Sequence, residues 1–225
     1  MMVRTHALPA IVVTSQSSHA SAVQSFGRRR FRWRGAVGGL VLVPVLIVAM
    51  LSAPLLPAAS WTHLAAQTAA WFTFVAGATL RFWATLYVGG RKERELVTDG
   101  PYSLCRHPLY LGSLLLGISG ALFVESVMLL VALAAVALIY LRTTIPIEEA
   151  VLRTRHGERH DSYVRQTPLL WPRTVAVRSP ATITVDVHRL WLEGLRATRW
   201  MWLPMLGVVL TYLRTFGWWP HMHLF

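Results

Sequence analysis

Long apolar segments that alternate with basic ones constrain this chain more than any other feature of its sequence. A helix needs about 20 apolar residues to cross the roughly 30 Å hydrocarbon core of a bilayer. The longest apolar stretch is interrupted by Glu125 and Ser126, which divide it into two short segments. We therefore predict an all-α integral membrane bundle of about five transmembrane helices, at about residues 35–57, 62–89, 109–124, 126–145 and 200–219.

Composition supports a membrane protein and argues against a soluble one. Hydrophobic residues make up 54% of the 225 residues and charged residues 14%, whereas soluble domains carry about 25% charged residues. A soluble fold of this size has too little interior to hide so much apolar surface. The lone Cys105 excludes an intrachain disulfide and a cysteine-based zinc site, and we expect no metal.

The basic residues lie beside the apolar segments rather than along one extended face. The formal net charge is +12, which by itself would suit a nucleic acid through counterion release. Clusters next to apolar segments are typical instead of cytoplasmic flanks that face anionic lipid headgroups. We expect the lipid bilayer as partner and no nucleic acid.

The distribution of charge also predicts the orientation. Nearly all Lys and Arg residues lie before Gly35 or in the segments 91–108 and 142–199, while the connections 56–61 and 123–127 hold none. By the positive-inside rule the N-terminus and the basic segments are cytoplasmic. We predict an integral protein of the inner cell membrane with a cytoplasmic active site.

Three regions are predicted from these patterns. Residues 1–34 are predicted to be a disordered, basic cytoplasmic tail. Residues 35–173 hold four spans and the cytoplasmic segment 146–173. Residues 174–225 hold the last span, preceded by a stretch, Asp186–Arg199, that alternates apolar and basic residues and suits a helix lying in the membrane interface.

One cytoplasmic segment combines a turn signal with a helix start. Gly100-Pro101 favours a turn, and Pro108 holds His107 out of helical geometry while suiting the first position of the next helix. The first N–H groups of that helix would be free to bind an anion, such as the carboxylate of an amino-acid-like cofactor. His107, Tyr110 and Leu111 share one helical face. A simple basic flank with a helix start also fits these residues.

The acidic pair Glu148-Glu149 stands in a segment otherwise crowded with arginine. Carboxylates would complement a ligand that carries cationic groups. The pair also suits the first turn of a cytoplasmic helix started by Pro146. Both interpretations fit the residues alone.

These segments share an ordered set of residues with a known family. The residues are Leu96-Val97, Gly100, Tyr102, Arg106-His107-Pro108, Tyr110, Gly112, Glu148-Glu149, Leu152, Gly157 and Tyr163. In this order and spacing they resemble the isoprenylcysteine carboxyl methyltransferase family and, more distantly, the phospholipid N-methyltransferases. The resemblance covers about residues 78–173.

The resemblance implies an enzyme that uses S-adenosyl-L-methionine without a Rossmann fold. The methyl acceptor would be a carboxylate, thiol or amine of a lipid-like or isoprenoid substrate. The residues implied to hold the cofactor are Arg94, Glu95, Leu96, Val97, Tyr102, His107, Pro108, Leu109, Tyr110 and Glu148.

The chain departs from the family pattern at the residue expected to bind the substrate carboxylate. An arginine is expected four residues before Glu148, and Thr144 stands there. Arg142 is the candidate to replace it, and we predict catalytic roles for Arg142 and Glu149. His156 and His160 replace aromatic residues of the pattern.

Two other enzyme classes fit parts of the sequence. A membrane reductase of the sterol-reductase-like type, using NADPH, shares the Arg-His-Pro-x-Tyr region, but a carboxylate is expected after it where Gly112-Ser113 stands. A di-iron desaturase or hydroxylase would use the His156–His160 pair, but such sites need several histidine clusters. Cys105 as a nucleophile is disfavoured, since a single cysteine near a membrane surface is usually inert.

The chain could instead be a non-enzymatic bundle, either a transporter or a scaffold. Charged residues inside spans mark pathways in such proteins, and Arg81 and Arg214 lie within predicted spans. Both stand near span ends, so we expect their side chains to extend toward the interface.

Overall fold

A computed structural model describes residues 39–52, 55–57, 60–88, 95–172, 177–180, 182, 185, 187–214, 216, 218 and 219. The chain divides into two compact units, residues 1–41 and 42–225, and the first unit is described only at residues 39–41. The predicted disordered tail, residues 1–34, lies outside the described residues. The described part of the chain is helical and contains no β-strand, which confirms the all-α prediction.

The helices coincide with the apolar segments and with the short segments that were predicted to be cytoplasmic. Their bounds are α1 Gly39–Leu51, α2 Trp61–Val88, α3 Pro101–Leu104, α4 Pro108–Val124, α5 Val127–Ile139, α6 Ile145–His156, α7 Glu158–Gln166, α8 Val187–Trp200 and α9 Trp202–Leu213, with a π-helical turn at Tyr140–Thr144. Helix α8 occupies the amphipathic stretch, whose place in the membrane interface stays a prediction.

Helices α4 and α5 form an antiparallel hairpin whose turn is made by two polar residues. Helix α4 ends at Glu125, which is the only non-glycine residue with positive φ in the described chain (φ 55°). Ser126 then begins α5 with its side chain accepting a hydrogen bond from the Leu129 N–H at 3.3 Å, as an N-cap does. The break falls at the predicted dipeptide, because Ser126 supplies the cap that starts a second helix.

Helices α5 and α6 form one continuous helix, which the sequence did not predict. The helix runs over Val127–His156 and, among the described residues, is the one helix long and apolar enough to cross a membrane. The fourth predicted span ended at residue 145, and one of the two interpretations of the acidic pair had Pro146 start a separate helix. The π-helical turn before it widens the helix, with the Ile145 N–H bonded to the Tyr140 carbonyl five residues back, so Pro146 fits within the helix instead of breaking it.

Three shorter apolar helices accompany the long one: Gly39–Leu51, Pro108–Val124 and Trp202–Leu213. Length and composition therefore support one membrane-crossing helix in the described chain, and a helical membrane bundle around it. The five crossings remain a prediction.

Helices α2 and α4 pack antiparallel and touch backbone to backbone at two glycines. A Cβ atom on Gly77 would lie 2.9 Å from the Gly112 carbonyl oxygen, and one on Gly112 would lie 3.0 Å from the Gly77 carbonyl oxygen. Small residues allow such close approach between membrane helices. The buried Phe74 and Phe123 fill the space beside this contact.

Charged side chains tie the hairpin end of the bundle together. The Glu125 carboxylate lies 2.5 Å from His63 Nδ1 and accepts a hydrogen bond from Gln67 at 3.0 Å. Arg214 donates to the Val124 and Ala49 carbonyl oxygens at 3.0 and 2.9 Å. These carbonyls lie at the ends of two helices and are partly buried, and the expectation that Arg214 extends toward the interface stays a prediction.

Arg81 contacts α4 and α8, and its predicted extension toward the interface stays a prediction. Its guanidinium lies 4.3 Å from the centre of the Trp200 ring and donates to the Ser113 hydroxyl. The cation–π contact adds to the hydrogen bond in holding the guanidinium. This contact joins α8 to α2 and α4 near the start of α4.

Candidate active site

The segment that leads into α4 is shaped by a glycine. Gly100 has φ 60° and ψ −129°, a conformation available almost only to glycine. A Cβ atom there would lie 2.5 Å from the ring of Tyr87. The turn therefore seats Pro101 and the short helix α3 directly against the end of α2.

The approach to His107 is held by the stretch of chain just after α7. The N–H groups of Arg106 and His107 donate to the carbonyl oxygens of Pro168 and Leu169 at 2.9 and 3.2 Å. These two bonds fix an extended stretch between α3 and α4. They place the side chains of Arg106 and His107 beside the first turn of α4.

His107 is the residue before α4 and has non-helical backbone angles (φ −127°, ψ 61°), as its position before Pro108 predicts. Its carbonyl oxygen accepts from the N–H groups of Tyr110 and Leu111, both at 3.1 Å. The Leu111 bond is the ordinary first bond of the helix, but the Tyr110 N–H, which we expected to be free, is thus engaged, and Pro108 has none. The anion site at this helix start is weaker than predicted.

Five side chains meet where the start of α4 faces α6, and we call them the carboxylate cluster: Arg106, His107, Tyr110, Glu148 and Glu149. Arg106 donates to the Glu149 carboxylate, and His107 Nε2 lies 3.3 Å from the same carboxylate oxygen. The Tyr110 hydroxyl donates to Glu148 Oε2 at 3.0 Å. The Arg-His-Pro segment and the acidic pair therefore form one site.

The protonation state of the cluster depends on its burial. His107 is 6% exposed, and this burial lowers its pKa below the usual 6.5, although Glu148 and Glu149 act in the opposite direction. The imidazole is therefore neutral at neutral pH. Among these five side chains, one guanidinium and two carboxylates then leave one net negative charge.

An aromatic wall stands beside the cluster. The Tyr110 ring lies 5.6 Å from the His107 ring and 6.2 Å from the Tyr140 ring, measured between ring centres. Tyr140, Thr144 and Glu148 succeed each other at four-residue spacing, so they share a helix face. Tyr140 was not among the residues predicted from the sequence, and its spacing from Glu148 is the signal that would have found it.

Thr144 lies buried between Tyr140 and Glu148 on this face. It is 3% exposed, and its hydroxyl has no hydrogen-bond partner in the described part of the chain. A buried polar group without a partner calls for an explanation. A bound ligand beside Glu148 would supply one.

Tyr102 forms the other side of the site, within a cluster of buried residues that includes Ala84 and Tyr87. Val97 and Leu109, two residues implied to hold the cofactor, pack against it. Burial first, then the neighbouring Tyr163 and Glu148, raises the pKa of the Tyr102 phenol. The phenol therefore stays protonated and can donate a hydrogen bond.

The remaining implied residues are distributed unevenly. Pro108 is buried at the start of α4 and Leu96 is half-buried, whereas Glu95 is exposed. Arg94 lies outside the described residues.

Arg142 is exposed on the π-helical turn, and no hydrogen bond or ion pair within the described chain joins it to the carboxylate cluster. It stands only two residues from Thr144, so it lies on a different face of the helix. Its catalytic role stays a prediction that the geometry does not support. Glu149, by contrast, lies in the cluster.

Arg106 is a functional candidate that was not among the site residues predicted from the sequence. Its side chain is 14% exposed and that of Glu149 is 24% exposed. A pair this well covered orients the carboxylate that also faces His107. Its position next to His107, opposite an acidic pair, was the available signal.

Cys105 lies beside the cluster but carries no reactive thiolate. It is 1% exposed, and burial raises the pKa of its thiol to about 11. A thiol in this state is a poor nucleophile at neutral pH. The structure favours the inert interpretation.

Comparison with known proteins identifies the family. The model of the phospholipid methyltransferase family matches residues 60–159, which contain the whole carboxylate cluster. The nickel-cobalt-cadmium resistance protein NccN of Alcaligenes xylosoxydans xylosoxydans is 34% identical over 147 residues, covering 65% of this chain and 68% of the relative.

A second relative is the cobalt-zinc-cadmium resistance protein CzcN of Cupriavidus metallidurans, 45% identical over 109 residues. This match covers 48% of the chain and about half (49%) of the relative. No solved structure matches the chain. The family match and the extent of the NccN match together show that the chain belongs to the phospholipid methyltransferase family.

Proposed function

We propose that this protein is a membrane methyltransferase that uses S-adenosyl-L-methionine and binds it at the carboxylate cluster. The observation that carries the proposal is the meeting of His107 and Tyr110 with Glu148 and Glu149, which come from segments about 40 residues apart in the chain. Family membership supplies the reaction class. The carboxylate cluster is where we propose that the cofactor binds.

The residues present suit this cofactor. Its sulfonium and ammonium groups are cationic, and the cluster carries one net negative charge beside an aromatic wall. Neutral His107 adds no repulsion, and the buried Thr144 hydroxyl offers a polar contact one helical turn from Glu148. Tyr102, held protonated by burial, can donate to a ligand acceptor.

The cofactor would supply an electrophilic methyl group that leaves a neutral thioether when an acceptor attacks in line with the sulfur. The protein would then hold the acceptor, the methyl group and the sulfur in line and exclude water from them. Such positioning can lower the activation barrier by several kcal/mol. Glu148 and Glu149 would orient the cationic groups, and Tyr110 would fix Glu148 through its hydroxyl. A carboxylate, thiol or amine acceptor fits this scheme.

The membrane arrangement is part of the proposal. We place the N-terminus and the cluster on the cytoplasmic side of the inner membrane, with five spans and a lipid-like or isoprenoid acceptor reaching the cluster from the bilayer. The basic residues around the cluster support the cytoplasmic side. The Val127–His156 helix is long and apolar enough to cross a membrane and carries both glutamates, which supports a cluster that a lipid-like acceptor can reach from the bilayer. The two relatives are named for metal resistance, so we further propose that the methyl transfer serves growth in divalent metals.

Calorimetric titration in detergent tests the cofactor assignment. Full-length protein should bind S-adenosyl-L-methionine, and His107→Ala and Glu148→Gln should weaken this binding. Glu158→Gln is the matched control, because Glu158 is exposed on α7 outside the cluster. Unchanged binding in both cluster variants would refute the site.

A second titration, with NADPH, separates the proposal from the reductase alternative. Binding of NADPH in place of S-adenosyl-L-methionine would refute the methyltransferase. Transfer of a radiolabelled methyl group to lipid and peptide extracts, with Glu148→Gln as the inactive control, then identifies the acceptor class.

A further inference from the structure

A polar cavity lies between α3, α7 and the segment 177–180. Its volume is about 390 Å³, and it is lined by residues of α3, α7 and the extended segment 177–180. Small-molecule sites have volumes of roughly 300–1,000 Å³. The cavity is therefore large enough for a phosphorylated small molecule or lipid headgroup.

The cavity is built by contacts that hold segment 177–180 against α3. The Gly100 N–H donates to the Arg178 carbonyl oxygen at 2.7 Å, and the Arg178 N–H donates to the Ser103 hydroxyl at 3.1 Å. The Ser179 hydroxyl is hydrogen-bonded to the Tyr87 hydroxyl. Arg178 thus enters the cavity from a backbone that is fixed on both of its polar groups.

The charge of the lining favours an anion. Arg159 on α7 and Arg178 contribute two guanidinium groups, and Asp99 contributes one carboxylate, which leaves one net positive charge. Ser103, Ser162 and other hydroxyl-bearing residues complete the wall. Guanidinium groups match the oxygens of phosphate in charge and in geometry.

The cavity and the carboxylate cluster carry opposite charges. Tyr163 lines the cavity, and its hydroxyl donates to the Tyr102 carbonyl oxygen at 2.7 Å across α3. The cluster is net negative and suits cationic groups, whereas the cavity is net positive. The two sites therefore select different ligands.

We propose that this cavity is a binding site for a phosphate-type anion, either a lipid headgroup or a free phosphate compound, held by Arg159 and Arg178. The inference goes beyond the proposed methyl transfer and does not depend on it. Asp99 opposes the anion and limits the affinity.

The test measures binding of glycerol 3-phosphate to full-length protein in detergent, and of phosphatidic acid to protein in phosphatidylcholine nanodiscs. Saturable binding is expected in at least one arm, and Arg159→Gln combined with Arg178→Gln should weaken it by about tenfold or more. Asp99→Asn should tighten it. The matched control combines Arg155→Gln with Arg165→Gln, two exposed arginines that do not line the cavity.

The arms distinguish the source of the phosphate. Binding of glycerol 3-phosphate that depends on Arg159 and Arg178 indicates a free compound, and dependence seen only with phosphatidic acid indicates a headgroup; either result supports the site. Equal loss in the control pair would show unspecific attraction to a basic surface, and absence of binding in both arms would likewise overturn the proposal.

Competition between S-adenosyl-L-methionine and the phosphate would also overturn it, because the cavity would then belong to the methyl-donor site. Glu148→Gln keeps the two proposals apart. It should weaken binding of the methyl donor and leave phosphate binding unchanged.

Discussion

Replacing Glu149 by Gln tests whether the Arg106–Glu149 pair stabilises and orients the site or contributes little to its stability. The side chains are 14% and 24% exposed, so both charges are largely removed from water. Charge-assisted hydrogen bonds contribute about 1.5–3 kcal/mol, and a covered guanidinium without its partner keeps its desolvation cost. We therefore expect Glu149→Gln to destabilise the protein by about 2–3 kcal/mol.

Asp161→Asn provides the comparison. Asp161 pairs with Arg153, whose side chain is 69% exposed, at 3.0 Å, and exposed pairs contribute about 0–1 kcal/mol. For a chain of this size, 1 kcal/mol corresponds to roughly 2–4 °C in the unfolding midpoint. Thermal unfolding in detergent should show a loss of about 4–12 °C for Glu149→Gln and less than about 4 °C for Asp161→Asn. Equal losses would show that burial of the Arg106–Glu149 pair does not increase its contribution to stability. The pair could then not be what orders the carboxylate cluster.

Three further predictions concern the backbone, the thiol and the pH. Gly100→Ala should lower the free energy of unfolding by more than about 2 kcal/mol and weaken binding of the methyl donor, because Tyr87 occupies the place of the new methyl group. An unchanged unfolding midpoint and unchanged binding in the titration would contradict this. Cys105 should resist iodoacetamide at pH 7.5 in folded protein and react after denaturation, as mass spectrometry would show. Because burial lowers the pKa of His107 below 6.5, the unfolded chain binds this proton more readily, so stability should fall as the pH drops below about 6.5; His107→Gln should flatten that fall in unfolding midpoints between pH 7.5 and 5.5.

The features that the sequence predicted well are those set by neighbouring residues. Proline fixed the start of α4 and the backbone of His107, and a polar dipeptide that includes Ser126 fixed its end. The meeting of His107 with the glutamates was predictable because both segments were placed on one side of the membrane.

The features that were missed depend on partners distant in sequence. Arg81 turns toward Trp200 and Arg214 toward the ends of two helices, and nothing near either residue indicates these acceptors. The continuity of the helix through Pro146 depends on a π-helical turn, and the sequence of Tyr140–Thr144 carries no recognisable signal for such a turn. Hydropathy alone therefore predicted helices but not how charges inside them are satisfied.

The π-helical turn has a consequence for how this chain tolerates insertions and deletions. Such a turn holds one residue more than an ordinary helical turn would, and each added residue rotates the remainder of the helix by about 100°. Removing one residue from Tyr140–Thr144 would restore a regular helix and swing Glu148 away from Tyr110, to which it is joined by a 3.0 Å bond. The direction in which the two glutamates point thus depends on the one additional residue of the π-helical turn. We expect the site to tolerate substitutions in this short stretch better than insertions or deletions.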